Sequence, residues 1–173
     1  SIIYIFISSI LFGQGEFNIN SLVNEDNIYK IKGQSDLVTG TVFTILENKK
    51  IRMGRLSNGK KNGIWTEWHP NERRLQETYK KGLLDGPVSF FYKNGQKEWR
   101  YTYNNGILEG NHTKWHKNGK RAVDGFFESG SPVGVWCWRN KDGKIIKKEI
   151  FKKRKKGILN GYNEYVDKEL IPQ

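Results

Sequence analysis

The side chains best suited to metal or acid–base chemistry are three histidines, His69, His112 and His116, and one cysteine, Cys137. His112 and His116 have the i, i+4 spacing that brings two imidazoles together on a helix, an arrangement that holds zinc. Their surroundings alternate as a strand does, however, and four strand residues span ~13 Å, too far for one ion. His69 and His116 fall in one repeat column two units apart, ~19 Å across four strands. A single cysteine permits neither an internal disulfide nor a cysteine-based zinc site. Cys137, between Trp136 and Trp138, reads as a small half-buried residue. Ser57, Ser89, Ser129 and Ser131 lack a nucleophile-elbow context. Glu67, Glu77, Glu98 and Glu109 form no evident acid–base pair. Gly59-Lys60-Lys61-Asn62-Gly63 is shorter than a phosphate-binding Walker loop. The expectation is a chain with no catalytic residue, no metal and no cofactor.

The elements around these residues must therefore serve another purpose. Of 173 residues 36% are hydrophobic and 28% charged, and mean hydropathy is −0.73. Aromatics reach 13%, too many for a disordered chain, and they favour strands over helices. With 19 Gly and 4 Pro the chain is neither collagenous nor a proline-rich linker. Net charge is +12, unevenly spread. Residues 1–50 hold four Lys and five acids, whereas 51–173 hold 26 basic and 13 acidic residues. A body this basic attracts phosphates, anionic headgroups or an acidic protein surface.

Residues 2–12 read IIYIFISSILF, an uncharged stretch. It is too short for a bilayer span of ~20 residues and suits the apolar part of a secretory signal. Gly13 and Gly15 supply small residues for a cut before Glu16. No basic residues precede Ser1, so the signal, residues 1–15, is read as shortened at its start. A lead-in of 16–37 should follow, then a repeat array over 38–166 and a tail, 167–173.

The array is visible through glycine. Gly40, Gly63, Gly86, Gly110, Gly134 and Gly161 are separated by 23, 23, 24, 24 and 27 residues. All but Gly40 have a second glycine four residues earlier, at Gly59, Gly82, Gly106, Gly130 and Gly157. Two residues after the anchor glycine stand Val42, Trp65, Val88, His112 and Trp136; five after it stand Ile45, Trp68, Phe91, Trp115 and Arg139. Eight and nine after it come Asn48-Lys49, Asn71-Glu72, Asn94-Gly95, Asn118-Gly119 and Asp142-Gly143. Asn-Gly and Asp-Gly supply the positive φ of hairpin turns. Each unit then reads as a hairpin followed by a glycine-edged connecting turn. A lone two-stranded hairpin is marginal in water, so units must stack on one another. Aromatics fall at both odd and even positions, so neither face should be cleanly polar. Gly59 lies near the array's end, so its replacement should matter less than that of Gly86 or Gly110.

Segments such as NGKKNGIWTEWHPNERR, DGPVSFFYKNGQKEWRYTYNNG and EGNHTKWHKNGKR resemble the MORN-repeat variant family, over roughly residues 38–165. The resemblance implies an all-β fold: tandem antiparallel β-hairpin repeats in an elongated, twisted single sheet. It also implies an interaction role without catalysis, since bacterial members include antitoxin-like proteins of toxin–antitoxin systems. The chain departs from the pattern at Glu72, at His112, at Arg139 and in the longer closing turn before Gly157.

An exported bacterial protein, periplasmic, envelope-bound or secreted, is the resulting expectation. It should act as a monomer that binds another protein. Adhesion to an anionic surface, whether membrane headgroups, envelope polysaccharide or nucleic acid, through the basic repeat array is the alternative. Nucleic acid is disfavoured because the rings belong to structural columns and export removes it as an everyday partner. Candidate contacts are Trp65, Trp68, Trp115, Trp136 and Trp138, with the basic run Lys152, Lys153, Arg154, Lys155 and Lys156.

Overall fold

The computed structural model describes residues 15–69, 74–152 and the strand 167–170. The expected turn at Asn71-Glu72, the basic residues 153–156, Gly157, Gly161 and leader residues 1–14 lie outside the described residues. Gly15, expected as the last leader residue, is the first residue of a strand. The chain opens with β1 (Gly15–Asn18), a 3₁₀ turn (Ile19–Ser21), β2 (Leu22–Glu25) and β3 (Ile28–Ile31). The array follows as β4 (Gly40–Leu46), β5 (Lys49–Ser57), β6 (Lys60–Trp68), β7 (Arg74–Lys80), β8 (Leu83–Leu84) and β9 (Gly86–Phe91). It continues through β10 (Lys97–Asn104), β11 (Ile107–Leu108), β12 (Gly110–Trp115), β13 (Arg121–Glu128), β14 (Ser131–Arg139) and β15 (Ile145–Lys152). Asp167–Leu170, expected as tail, forms β16 and pairs antiparallel with β15. Among the described residues the fold is all-β, with no α-helix.

From β4 to β16 consecutive hairpin strands lie side by side in one sheet, the expected hairpin array. Among the described residues only β1 departs from antiparallel pairing: it lies parallel to β4, with Gly15 opposite Gly40. The β2–β3 hairpin, inserted between them, carries the chain back to the same edge of the sheet.

The two turn classes differ from expectation in an informative way. At the connecting turns both central residues are left-handed: Asn58 and Gly59 at φ 47 and 72, Lys81 and Gly82 at 52 and 88. Asn105-Gly106 and Ser129-Gly130 repeat this, which makes these the tight two-residue hairpin turns. In the Asn-Gly and Asp-Gly columns only Gly95, Gly119 and Gly143 are left-handed, at φ 82, 81 and 90. There the Asn side chain works instead: Asn94 Oδ1 accepts from Gln96 N at 3.1 Å and Asn118 Oδ1 from Lys120 N at 3.1 Å. The first hairpin turns one residue earlier than expected, with Glu47 and Asn48 at φ 47 and 61.

Connecting turns are tied to one another. Gly82 N donates to Lys61 O (2.9 Å), Gly106 N to Leu84 O (2.7 Å) and Gly130 N to Leu108 O (2.9 Å). Each acceptor lies two residues beyond the glycine of the previous turn. At the array's start Gly59 N donates to Val38 O at 2.8 Å, so the lead-in begins the ladder. Just beyond the turns at Gly82, Gly106 and Gly130 the second strand bulges. Between β7 and the β8–β9 segment the pairs Tyr79–Leu84 and Gln76–Ser89 enclose three steps on one strand and five on the other. The anchor glycines Gly86 and Gly110, at φ 122 and 89, sit in these bulges.

A single sheet has no second layer to bury its rings, so burial is built within it. The core of Leu22, Val38, Val42, Leu56 and Trp65 lies between the lead-in and the first hairpins. Trp65 is 1% exposed, and burying an indole contributes on the order of 4 kcal/mol. It lies on Gly54, and Trp136 lies on Gly125 in the same way; a Cβ on either glycine would fall under 3.0 Å from the indole. Neither glycine is left-handed, so here glycine supplies space rather than conformation.

The positions nine before and two after each anchor glycine thus match in size. They read Gly54 with Trp65, Glu77 with Val88, Tyr101 with His112, and Gly125 with Trp136. His112, the departure from tryptophan, stacks on Tyr101 with centroids 4.6 Å apart because no glycine is there to receive an indole.

Gly125→Ala is expected to destabilise by about 1–3 kcal/mol in chemical denaturation. In a Trp136→Val background the same change should cost under about 0.5 kcal/mol, since the ring it strikes is gone. The expected order at the turns reverses as well. Gly59 is buried, and a Cβ there would stand 2.9 Å from Ile28 Cγ2, whereas at Gly110 the nearest atom is 3.5 Å away. Gly59→Val should therefore lower the melting temperature more than Gly110→Val.

Candidate interaction surface

Residues two and five after the anchor glycine differ by an odd number, so they occupy opposite faces of their strand. On the first face the rings form a continuous contact chain. His112 lies 5.5 Å from Trp99, 4.6 Å from Tyr101 and 5.3 Å from Trp136, centroid to centroid. Trp136 in turn meets Phe127 at 5.1 Å and Phe151 at 5.7 Å. The imidazole is 4% exposed. Burial pushes its pKa below 6.5, against the hydrogen bond with the Arg100 backbone; Lys114 lowers it and Asp124 raises it.

Charges on this face are caged by rings and carboxylates. Lys61 Nζ reaches Glu67 Oε1 at 3.0 Å and Glu77 Oε2 at 3.8 Å, and stands over Trp65 and Tyr79 at 4.8 and 4.9 Å. Tyr79 donates its hydroxyl to Glu77 Oε2 at 2.9 Å. Burial first, then that carboxylate, holds the phenol far above its ordinary range, so it stays a neutral donor. Glu149, 1% exposed, takes Lys147 Nζ at 2.7 Å, and Lys147 covers Trp138 at 4.9 Å.

The second face carries the column five after the anchor. Arg74 is sandwiched between Trp68 and Phe91, 5.7 and 4.0 Å from their centroids. At Arg139 the aromatic column is replaced by an ion pair, Nη1 to Asp124 Oδ2 at 2.6 Å. The next position, six after the anchor, is the column of His69 and His116, weighed from sequence only for metal binding, and it stitches hairpins together. Tyr92 donates its hydroxyl to Trp115 O at 2.8 Å, and His116 Nε2 lies 2.9 Å from Arg139 O. The polar rings at that column are its sequence signal.

The five candidate tryptophans separate on this geometry. Trp65 and Trp136 are buried and cannot serve as surface contacts. Trp115 and Trp138 are half-buried, and Trp68 is 42% exposed beside Arg74. Lys152 is exposed at the end of β15. Among the described residues no group of three His, Cys, Asp or Glu could hold a metal ion. None is a helix long and apolar enough to cross a membrane.

A different set of residues forms a surface. Ile64 opposes Thr78 across the sheet, and Thr78 Oγ1 donates to Pro87 O at 2.9 Å. Pro87 opposes Thr102, Asn111 opposes Phe126, Phe126 opposes Val133, and Val135 opposes Ile150. This row runs from β6 to β15 on the second face without a charge, in a chain that is 28% charged. Ile64, Phe126 and Val135 stand out of it at 60, 42 and 52% exposure. The sequence signal was the position one after each anchor glycine, where Thr41, Ile64, Pro87, Asn111 and Val135 are all uncharged. The sequence matches no protein-family model and no curated protein.

His112 makes stability pH-dependent with a definite sign. Its folded pKa is depressed, so its contribution is complete above about 6.5 and is lost as pH falls below that value. Parent protein should lose stability between pH 7 and 5 more steeply than a His112→Phe variant, by up to about 1.4 kcal/mol per pH unit. Urea titrations at both pH values measure it.

Proposed function

We propose that the chain is a non-catalytic, exported protein-interaction module whose contact surface is the uncharged row from Ile64 to Ile150. The observation that carries this reading is the exposure of Ile64, Phe126 and Val135 on a row free of charge. Isolated exposed apolar residues are ordinary on protein surfaces. Here they are aligned across consecutive hairpins, with neutral Thr, Pro and Asn between them. A partner laid across the hairpins would bury them together, as in other repeat arrays that present extended binding surfaces. The repeat period and turn columns support kinship with MORN-repeat variant proteins, and through it an antitoxin-like role toward a protein partner.

The triple change Ile64→Lys, Phe126→Lys, Val135→Lys tests the reading. These side chains are exposed, so melting temperature should move by no more than a few degrees. Parent protein should capture a defined partner from the source cell's envelope fraction at both low and high salt, and the triple variant should lose it by tenfold or more. Capture of the same proteins by both would refute the surface. Capture abolished by salt alone would favour the anionic-surface reading instead.

A further inference from the structure

Along the units from β9 to β15 the two long edges of the sheet differ in charge. The edge of the third to fifth hairpins consists of residues 92–97, 116–121 and 140–144 and holds seven Lys or Arg against one Asp. Lys93, Lys117 and Lys141 occupy one column, seven residues after successive anchor glycines, and all are exposed. Lys97 and Arg121 share a second column; Lys120 and Lys144 share a third. On the opposite edge the connecting turns 80–85, 104–109 and 128–133 carry Lys80 and Lys81 against Asp85, Glu109 and Glu128, and the other described cations of that edge, Lys60, Lys61 and Lys152, lie toward the two ends of the array. Lysines required only for solubility would have no reason to recur in one column.

The basic tips are also held in register. Asn118 Nδ2 donates to Lys141 O at 2.7 Å, and Lys120 Nζ to Asp142 O at 3.0 Å. Tyr92 and His116 bind carbonyls of the following hairpin, as described above. Successive tips are two strands apart, roughly 10 Å. The ridge is therefore a line of cations at regular spacing on a preorganised backbone.

We propose that this edge binds a linear acidic polysaccharide along its length, at a place separate from the uncharged row. Three features select that chemistry. Adjacent strands are rotated by about 20°, so successive tips turn around the sheet axis; a flexible chain can follow them and a flat membrane cannot meet them all at once. Single-stranded nucleic acid is held by rings on which bases stack. The rings at these tips, Tyr92 and His116, are committed to hydrogen bonds between hairpins. Duplex phosphates recur every ~3.4 Å along a strand, far closer than the tips. A polymer with one carboxylate per two sugars places its charges much nearer the tip spacing.

The test uses the full chain and hyaluronate, which carries one carboxylate per two sugars, titrated at about 0.05 M and about 0.3 M salt. Parent protein should bind at the lower salt and weaken at the higher. The variant Lys93→Gln, Lys117→Gln, Lys141→Gln should bind at least about tenfold more weakly at the lower salt, with an unchanged melting temperature. Lys60→Gln, Lys80→Gln, Lys81→Gln removes the same charge from the opposite edge and should change affinity by less than about twofold. A two-sugar fragment should bind on the order of 100-fold more weakly than the polymer, because it reaches one tip. Equal loss in both triple variants, equal affinity for fragment and polymer, or no binding by the parent would overturn the proposal. So would tighter binding to anionic lipid vesicles or to single-stranded DNA than to the polysaccharide.

Discussion

The connecting turns at Gly82, Gly106 and Gly130 each donate the amide of their left-handed glycine to a carbonyl just beyond the turn before, and the array depends on that bond. A lone hairpin is marginal because it closes a loop and buries little. Linking its turn to the previous turn adds a contact without adding a layer. The bond also explains the repeat length. Donors at Gly59, Gly82, Gly106 and Gly130 are spaced 23 or 24 residues apart, the length of two strands and two turns. Left-handed φ at two consecutive residues reverses the chain within two residues, so that the glycine amide faces the neighbouring turn rather than its own strand. At the array's start Val38 accepts this bond from Gly59, and Tyr29 N donates to Gly59 O at 2.7 Å, so the lead-in closes the ladder from both sides.

Once turns are stacked, strands lie in one sheet whose rings must pack beside one another. Burial then becomes a matter of complementary sizes on adjacent strands. The two buried indoles, Trp65 and Trp136, each lie on a glycine, and the imidazole of His112 fits on the Tyr101 phenol. Carboxylates and ammonium groups enter this layer only as partners: Lys61 between Glu67 and Glu77, Lys147 on Glu149. Glu149 is almost fully buried and Lys61 and Glu77 nearly so, which makes removal of one partner costly and places the aromatic layer in a structural role.

Much of this architecture was legible in sequence because glycine at fixed intervals reports backbone conformation directly. Gly82, Gly106 and Gly130 marked their turns correctly, and all-β hairpin pairing followed. What was not legible depends on neighbours. A tryptophan column looks the same whether its rings face solvent or lie on a glycine one strand away, so Trp65 and Trp136 passed as contacts. Gly59 passed as peripheral because the β2–β3 hairpin that covers it lacks the repeat signature. The surface candidates were missed for a related reason. Uncharged Ile64 and Val135 are unremarkable singly and become a row only when register sets them across from Thr78 and Ile150.

Hydrogen exchange at the connecting-turn glycines tests the central claim most directly. Gly106 and Gly130 are exposed, and amides at exposed turn tips ordinarily exchange at nearly the rate of free peptide. If the turn ladder joins the units, the amides of Gly59, Gly82, Gly106 and Gly130 should be protected by about a thousandfold or more, comparable to amides in the neighbouring strands. Exchange of these four amides at loop rates, while strand amides remain protected, would contradict the account.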